Sequence, residues 1–210
     1  MKARGDPSIG VLALQGDFAE HIAVLHKLGV DAIEVRLPEQ LDGLDGLIIP
    51  GGESTAISRL MVRWGLLEPV REHARRGMAV WGTCAGAILL AVEAGDLDRE
   101  GLRLMDIDVV RNAFGRQVDS FETDLAVPAL GPQPYHAVFI RAPLIRRIGP
   151  RAEALAALAD GTVVAARQDK LLATAFHPEL TDDTRFHQYF LSLAASARAA
   201  RERSEQPAAS

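Results

Sequence analysis

Short apolar segments alternate with amphipathic segments through the first hundred residues, and this alternation constrains the fold more than any other feature. The apolar runs SIGVLALQG, DAIEVR, DGLIIPGG and MAVWG predict buried strands. The segments between and after them, DFAEHIAVLHKLG, STAISRLMVRWG, LEPVREHARRG and AGAILLAVEAG, predict helices. Strands that alternate with helices indicate βαβ units and a parallel sheet with helices on both faces. Gly29 is expected just beyond the first helix, and Ser54 at the N-cap of the second.

The pattern changes after about Gly101. DIDVVRN, DSFETDLAV and HAVFIRA predict strands without full-length helices between them, and GTVVAARQDKLLATAFHPE predicts a hairpin that turns near Asp169. EALAALAD suits a helix by its alanine content and a strand by its length, so we assign it neither. An amphipathic helix begins near Asp183. We expect one domain over 9–195, an N-terminal extension over 1–8 and a frayed tail over 196–210.

Composition excludes several classes of protein. The chain has 210 residues, of which 48% are hydrophobic and 24% charged, as is typical of one soluble globular domain. The net charge of −5 gives no support to binding of nucleic acid or anionic membranes. No run approaches the roughly 20 apolar residues of a membrane helix, and we see no signal peptide. A single cysteine rules out an internal disulfide, so we expect a cytoplasmic protein.

The only cysteine, Cys84, stands between two glycines where an apolar run ends and a helical one begins. The segment GTCAG has the form G-x-C-x-G, the cysteine version of a strand–nucleophile–helix elbow. Glycines on both sides relieve collisions at such a strained turn. The turn leaves the thiol at a helix N-terminus, where the macrodipole favours a thiolate. The alternative is a small buried core residue, since free cysteine is among the most buried residue types.

His177 is the candidate base for this thiol. It ends a predicted strand, and Glu179 two residues later points the same way in an extended segment. Pro178 between them favours extended geometry at His177. A carboxylate there orients the imidazole, as in a catalytic triad. The alternative is a polar strand end without catalytic meaning.

The other histidines are not expected at the site. Three lie in predicted helices among charged residues, where surface positions are expected, and two have no acidic neighbour at a useful spacing: His21, His26 and His73, and then His136 and His187.

Two further patterns bear on chemistry. The paired glycines of IIPGGEST can form a simple turn, or can let backbone N–H groups approach an oxyanion. The segment lacks the lysine of a P-loop. No cluster of histidine, cysteine and acidic residues has metal-ligand spacing, so we expect no metal.

Three segments in this order, PGGES, GTCAG and FHPE, resemble the class I (triad-type) glutamine amidotransferases. More specifically, six segments resemble the glutaminase subunits of pyridoxal 5′-phosphate synthase, the PdxT/SNO family: GVLALQGDFAEH, RLPEQL, DGLIIPGGEST, RNAFGRQVDSFE, VFIRAP and FHPELTDD. The similarity extends from about Ile9 to Phe190.

This resemblance implies a flavodoxin-like three-layer α/β/α fold, with a mostly parallel central sheet and a mixed or antiparallel C-terminal extension. It implies hydrolysis of L-glutamine to glutamate and ammonia, without a cofactor. The ammonia would pass to a (β/α)8-barrel synthase partner in a large hetero-oligomer. Alternatives are a glutaminase subunit for another pathway, such as histidine biosynthesis, a non-catalytic partner-binding subunit, and a cysteine hydrolase or redox-responsive protein on a similar fold.

The resemblance also implies roles for particular residues. Cys84 would be the nucleophile, His177 the general base and then the acid, and Glu179 the residue that orients His177. Gly52 and the N–H of Ala85 would form the oxyanion hole. Glutamine would be bound by residues of three segments: Gly51, Gly52, Glu53 and Ser54, then Arg111, then Ile140 and Arg141.

Three remaining residues concern regulation and the surface. Gln15 and Gly16 end the first predicted strand, where they would lie near both the site and a partner. We expect low activity alone and higher activity with the synthase, through a rearrangement near Gln15 and the Gly51 loop. Arg116 resembles a binding residue, although a surface salt bridge explains it equally well.

Overall fold

The computed structural model describes residues 6–94, 100–111 and 120–205 of the chain. Twelve strands lie in this part: β1 (Ile9–Leu12), β2 (Ile33–Val35), β3 (Gly46–Ile49), β4 (Ala79–Thr83), β5 (Ala91–Glu93), β6 (Met105–Val110), β7 (Ser120–Leu125), β8 (Tyr135–Ile140), β9 (Leu144–Ile148), β10 (Glu153–Ala157), β11 (Val163–Gln168) and β12 (Leu171–Thr174). The same residues form five α-helices: α1 (Phe18–Lys27), α2 (Ser54–Arg63), α3 (Leu67–Arg75), α4 (Ala85–Leu90) and α5 (Arg185–Glu205).

A parallel half-sheet and an antiparallel extension share one ten-stranded sheet. The parallel half has the order β2-β1-β3-β4-β12, the strand order of flavodoxin-like folds. From β12 the sheet continues through β11, β9 and β6 with antiparallel pairing, and β5 then pairs with β6 in parallel. The expected fold class, a mostly parallel centre with a mixed extension, is confirmed.

Helices cover both faces of the parallel half and create two apolar cores. On one face, side chains of α2, α3 and α4 such as Ile57, Val70 and Leu89 pack on the sheet. On the other face, Leu25 of α1 and Phe190 of α5 do the same. Burial on both faces explains why these strands are almost entirely apolar. Because these strands are parallel, the carboxyl ends of β1, β3, β4 and β12 meet at one edge of the sheet, where ligands of open α/β sheets bind.

Two local expectations about secondary structure are corrected, and one segment that was left unassigned is a strand. The helix expected over AGAILLAVEAG ends at Leu90, because Ala91–Glu93 pairs with β6 instead. Glu53, and not Ser54, caps α2, since its carboxylate accepts hydrogen bonds from the N–H groups of Thr55 and Ala56. EALAALAD contributes strand β10, which pairs with β11. The expected hairpin near Asp169 and the expected glycine beyond α1 are both present.

Helix α5 extends to Glu205, although we expected a frayed tail from residue 196. Ala197 is buried in the core that contains Leu25 and Phe190. The Arg201 guanidinium lies 2.7 Å from the Asp45 carboxylate. These contacts stabilise the added turns. The tail residues 206–210 lie outside the described residues, and the domain limits at 9 and 195 stay a prediction. In the described ranges no helix has the length and apolar character needed to cross a membrane.

Candidate active site

Cys84 occupies a strained turn between β4 and α4. Its backbone has φ +46° and ψ −102°, a region that residues with a side chain rarely adopt. Such strain persists only where the surrounding structure enforces it, and it is concentrated at functional sites. The turn sets the thiol at the start of α4, where backbone N–H groups lack intrahelical partners. The backbone therefore makes the sharp strand-to-helix turn that the G-x-C-x-G pattern predicts.

The two glycines beside Cys84 are required by close backbone contacts. A Cβ on Gly82 would lie 2.4 Å from the backbone of Gly86, and a Cβ on Gly86 would lie 2.1 Å from the carbonyl oxygen of Ile49. Both distances are far below van der Waals contact. The helix can thus start directly above strands β3 and β4 only because neither position carries a side chain.

His177 and Glu179 meet Cys84 at this edge of the sheet. His177 follows β12, and its Nδ1 lies 2.7 Å from Oε1 of Glu179. Burial alone would lower the pKa of His177, but its interactions with Cys84 and Glu179 raise that pKa to about 10. The imidazole is therefore protonated at neutral pH, held between a sulfur and a carboxylate. A thiol beside an imidazolium is the arrangement of reactive cysteines.

A cavity of about 460 Å³ opens onto the sulfur and the imidazole. All but two of the residues predicted from the sequence line it: Gln15, Gly16, Gly52, Glu53, Ser54, Cys84, Ala85, Arg111, Ile140, Arg141 and His177. Gly51 and Glu179 lie behind this lining, against the His177 ring. Residues from six separate segments, which the family resemblance assigns to the site, thus lie around one cavity.

The Gly51–Glu53 loop is tied to the segment after β1. Oε1 of Gln15 accepts a 2.8 Å hydrogen bond from the Glu53 N–H, and the Gly51 carbonyl accepts one of 3.1 Å from the Asp17 N–H. Gly16 has φ +98°, and a Cβ there would lie 1.8 Å from the Gly51 carbonyl oxygen. Glycine at position 16 is what allows the two loops to approach this closely.

Arg111 also lines the cavity, and its guanidinium has two hydrogen-bond partners. Its guanidinium donates to the Glu53 carboxylate at 3.1 Å and to the Thr55 hydroxyl at 3.3 Å. Arg141 also carries strain, with φ +43°, directly after β8. Arg116 and the rest of its motif, residues 112–119, lie outside the described residues.

Sequence reasoning missed Asp17, which lies beside His177. Its Oδ2 is 3.5 Å from Nδ1 of His177, and burial raises the pKa of its carboxyl. Ligand atoms of Asp17, His177 and Glu179 lie within 4.8 Å of one another, a spacing that suits a metal ion. The His177 nitrogen that a metal would need is occupied by its hydrogen bond to Glu179, so the group is a hydrogen-bonded set. The available signal for Asp17 in the sequence was its position directly before helix α1.

Two histidine expectations are wrong. His21 is fully buried, and its ring nitrogens contact His187, Thr83 and Glu179. His136 does have acidic neighbours, because Glu122 and Asp124 on the paired strand β7 each lie 3.0 Å from one of its ring nitrogens. Cross-strand and helix-to-core contacts created these neighbours, and spacing along the chain does not reveal them.

The fold and this site together define a triad-type glutamine amidotransferase. A solved structure described as a glutamine amidotransferase is 53% identical to the chain, with a TM-score of 0.84 over 89% of this chain and 98% of that one. The solved structure of PurLQS from Thermotoga maritima, 15% identical, shares the fold with a TM-score of 0.66 over 94% of this chain and 99% of that one.

The family follows from the sequence comparison. The model of the SNO glutamine amidotransferase family matches residues 11–196. Pyridoxal 5′-phosphate synthase subunit PdxT of Herpetosiphon aurantiacus is 62% identical over 89% of this chain and all of its own length. The subunit of the same name from Moorella thermoacetica is 60% identical over 88% of this chain and 98% of its own length. The chain belongs to the SNO glutamine amidotransferase family, and the expected resemblance is confirmed.

Proposed function

We propose that Cys84, His177 and Glu179 form the triad with which this chain, a glutaminase subunit of pyridoxal 5′-phosphate synthase, hydrolyses L-glutamine. The observation that carries the proposal is the strained Cys84 at the mouth of a cavity that also exposes a protonated His177. Neither feature has a structural use in a core, since a buried cysteine needs neither strain nor a cationic neighbour.

The chemistry follows from the charges. The sulfur attacks the side-chain carbonyl carbon of glutamine, and the carbonyl oxygen becomes an oxyanion that the N–H groups of Gly52 and Ala85 stabilise. His177 donates its proton to the departing nitrogen, which leaves as ammonia, and a thioester remains on Cys84. Water deprotonated by His177 then hydrolyses the thioester to glutamate. Glu179 keeps the imidazole oriented and stabilises its charged form throughout.

Binding of the glutamine backbone is assigned to the loops around the cavity. Arg111 supplies a planar guanidinium for the α-carboxylate, and Glu53 supplies a carboxylate for the α-amino group. Their mutual contact at 3.1 Å keeps both charges at the rim before substrate arrives. Gly51, Ser54, Ile140 and Arg141 complete this binding surface.

Ammonia is transferred to a synthase partner, a (β/α)8-barrel subunit in a large hetero-oligomer. The relatives are named as synthase subunits. Two large apolar side chains at the cavity, Ile140 and Leu180, are more than a third exposed, as suits a surface that a partner covers. The assembly would work in the cytoplasm, where a single thiol stays reduced.

Activity is regulated by the contact between the two loops. The Gln15 side chain holds the Glu53 N–H, and the Asp17 N–H holds the Gly51 carbonyl, so the oxyanion loop is fixed by a segment that a partner can reach. Docking of the synthase would shift Gln15 and free this loop to take its catalytic form.

One experiment tests the proposal: release of ammonia from glutamine by the wild type and by Cys84→Ala, each with and without the barrel subunit. We expect the barrel to raise wild-type turnover, and Cys84→Ala to lose activity by on the order of 10³-fold or more while its melting temperature and its binding to the barrel are kept. A loss of less than about tenfold would contradict the nucleophile. Equal turnover with and without the barrel would contradict the regulation.

A further inference from the structure

The two oxygens of Glu179 face different histidines. Oε1 accepts the proton of His177 Nδ1 at 2.7 Å. Oε2 is buried and has no well-aligned hydrogen-bond partner among the described residues, and Nε2 of His21 lies 3.3 Å from it. The side chains of His21 and Glu179 are both completely buried. An unpaired carboxylate oxygen in such a place is costly, so the nearby ring nitrogen calls for explanation.

His21 is itself held by a second buried histidine. Its Nδ1 lies 3.0 Å from Nε2 of His187, and its Nε2 lies 3.2 Å from the hydroxyl of Thr83. Both rings pack against Trp81, with ring centroids 5.6 Å and 4.9 Å from it. Burial lowers the pKa of His187 to about 3, and burial with the neighbouring histidines lowers that of His21 well below its usual range. Each ring is therefore neutral and carries a single proton.

Two proton arrangements fit the contact between the rings, and the surroundings choose one. If His21 donated through Nδ1, its bare Nε2 would face a carboxylate oxygen, and His187 would carry its N–H at Nδ1, which has no partner in the described structure. If His187 donates through Nε2, its unpaired nitrogen is the bare one, and His21 points its own N–H at Thr83 and Glu179. The second arrangement leaves no buried donor unpaired.

We propose that His21 is a positioning residue for the triad. Its Nε2–H donates a hydrogen bond to Oε2 of Glu179, and His187 fixes the His21 tautomer that makes this bond possible. The inference deepens the proposed function and rests on it. The N–H groups of His187 and His21 point in one direction, toward the carboxylate that supports His177. The 3.3 Å separation fits a bond that is shared with Thr83 at rest and shortens in the reacting complex.

The role of this bond is to keep Glu179 ionised. Burial raises the pKa of the Glu179 carboxyl, and the groups that face it are His177, Asp17 and Tyr135 besides His21. A donor on Oε2 favours the carboxylate form. An ionised Glu179 in turn favours the imidazolium and hence the reactive sulfur. Loss of the His21 donor should therefore make the thiol reactive only at higher pH.

The first test uses the unmodified chain labelled with ¹⁵N in its imidazole rings. At pH 7 we expect ring spectra in which His21 and His187 are neutral and protonated at Nε2, while His177 is doubly protonated. An Nδ1–H tautomer at His21 or His187 would overturn the proposal without any variant having to fold.

The second test follows the rate of Cys84 alkylation by iodoacetamide against pH. For His21→Leu we expect the acid limb of the profile to move up by about one pH unit. For His21→Gln, whose amide N–H can occupy the place of Nε2, it should stay within about 0.3 unit of wild type. Trp81→Phe is the matched control, because it disturbs the same buried cluster without a polar contact to Glu179, and its profile should not move.

Three outcomes separate the possibilities. A wild-type profile for His21→Leu, or an equal shift in Trp81→Phe, would overturn the role of His21 and leave the triad intact. An alkylation profile that His177→Ala does not change would overturn the triad, and the role of His21 with it.

Discussion

Two histidines stand on opposite sides of one carboxylate and are held in opposite charge states. His177 and His21 each lie within 3.3 Å of a Glu179 oxygen. His177 also faces a sulfur and Asp17 at the edge of the cavity, and its pKa is raised to about 10. His21 lies among Trp81 and His187 inside the α1–α5 core, and its pKa is lowered.

The difference indicates what separates the imidazole that we propose to react from the one that we propose to support it. Both rings are almost completely buried, so burial penalises the charged form of both. His177 overcomes this penalty through hydrogen bonds with two acidic groups, the Cys84 thiol and the Glu179 carboxyl. His21 has only one such partner, shared with a hydroxyl, and a neutral histidine on its other nitrogen. The number of these acidic partners, and not the depth of burial, separates the two.

We expect the largest effect from removal of the negative charge that lies between the two histidine rings. Glu179→Gln keeps an acceptor for the His177 N–H but no negative charge, so we expect kcat for glutamine hydrolysis to fall by on the order of 10²–10⁴. The measurement is ammonia release in the presence of the barrel subunit, with thermal melting to show that the fold is kept.

Asp17→Asn is the matched control for that change. Asp17 is the other carboxylate near His177 Nδ1, but its side chain is 40% exposed and its oxygen is 3.5 Å away. Solvent screens such a contact, so kcat should fall by less than about tenfold. Equal losses in the two variants would show that any nearby negative charge suffices and that Glu179 has no orienting role.

A smaller effect concerns the neutral side of the comparison and is a matter of stability. The unfolded chain binds a proton at His187 below its usual pKa of about 6.5, whereas the folded chain does so only near 3. In that window the unfolded state carries more protons, so falling pH destabilises the fold. His187→Phe removes this proton-binding group. Between pH 7.5 and pH 5, the free energy of unfolding measured by urea titration should therefore fall by about 2 kcal/mol less in His187→Phe than in wild type.

His26→Gln controls for histidines in general. His26 lies on α1 like His21 but is exposed. Its replacement tests whether the loss of any histidine changes the pH dependence of unfolding. If His187→Phe also kept the wild-type dependence, the folded chain would bind a proton at His187 normally, and the neutral state of that ring would be refuted.

The placement of Cys84, His177 and Glu179 was predictable because the relevant spacing is local. The glycines two residues on either side of Cys84, and the carboxylate two residues after His177, can be read directly along the chain. His21 was predicted at the surface because Glu20 beside it is charged. One signal was available: His21 follows Phe18 by three residues and precedes Leu25 by four, which places it on the buried face of α1.

The fold was also predictable in part: its central strands could be predicted from the sequence, and its short peripheral strands could not. Central strands such as β3 are buried on both faces, so their sequences are apolar throughout and unmistakable. Strand β5 has only three residues and exists because β6 offers it a partner, and β9 carries two exposed arginines. For such strands the pairing partner decides, and it is fixed only when the chain has folded.

The smallest expected effect compares His177 with a third histidine, His136, which also lies between two acidic groups. Hydrogen bonds that His136 donates to Asp124 and to Glu122 raise the pKa of His136, but this pair of contacts is exposed to solvent. A raised pKa adds stability below about 6.5 that is lost as pH rises through the folded value, and here salt screens it. In NMR titrations we expect 0.5 M salt to move the midpoint of His136 down toward 6.5 and to leave that of His177 in place. A matching downward shift of His177 would mean that its charge depends on solvent-exposed contacts, and that the buried sulfur and carboxylate are not what holds its proton.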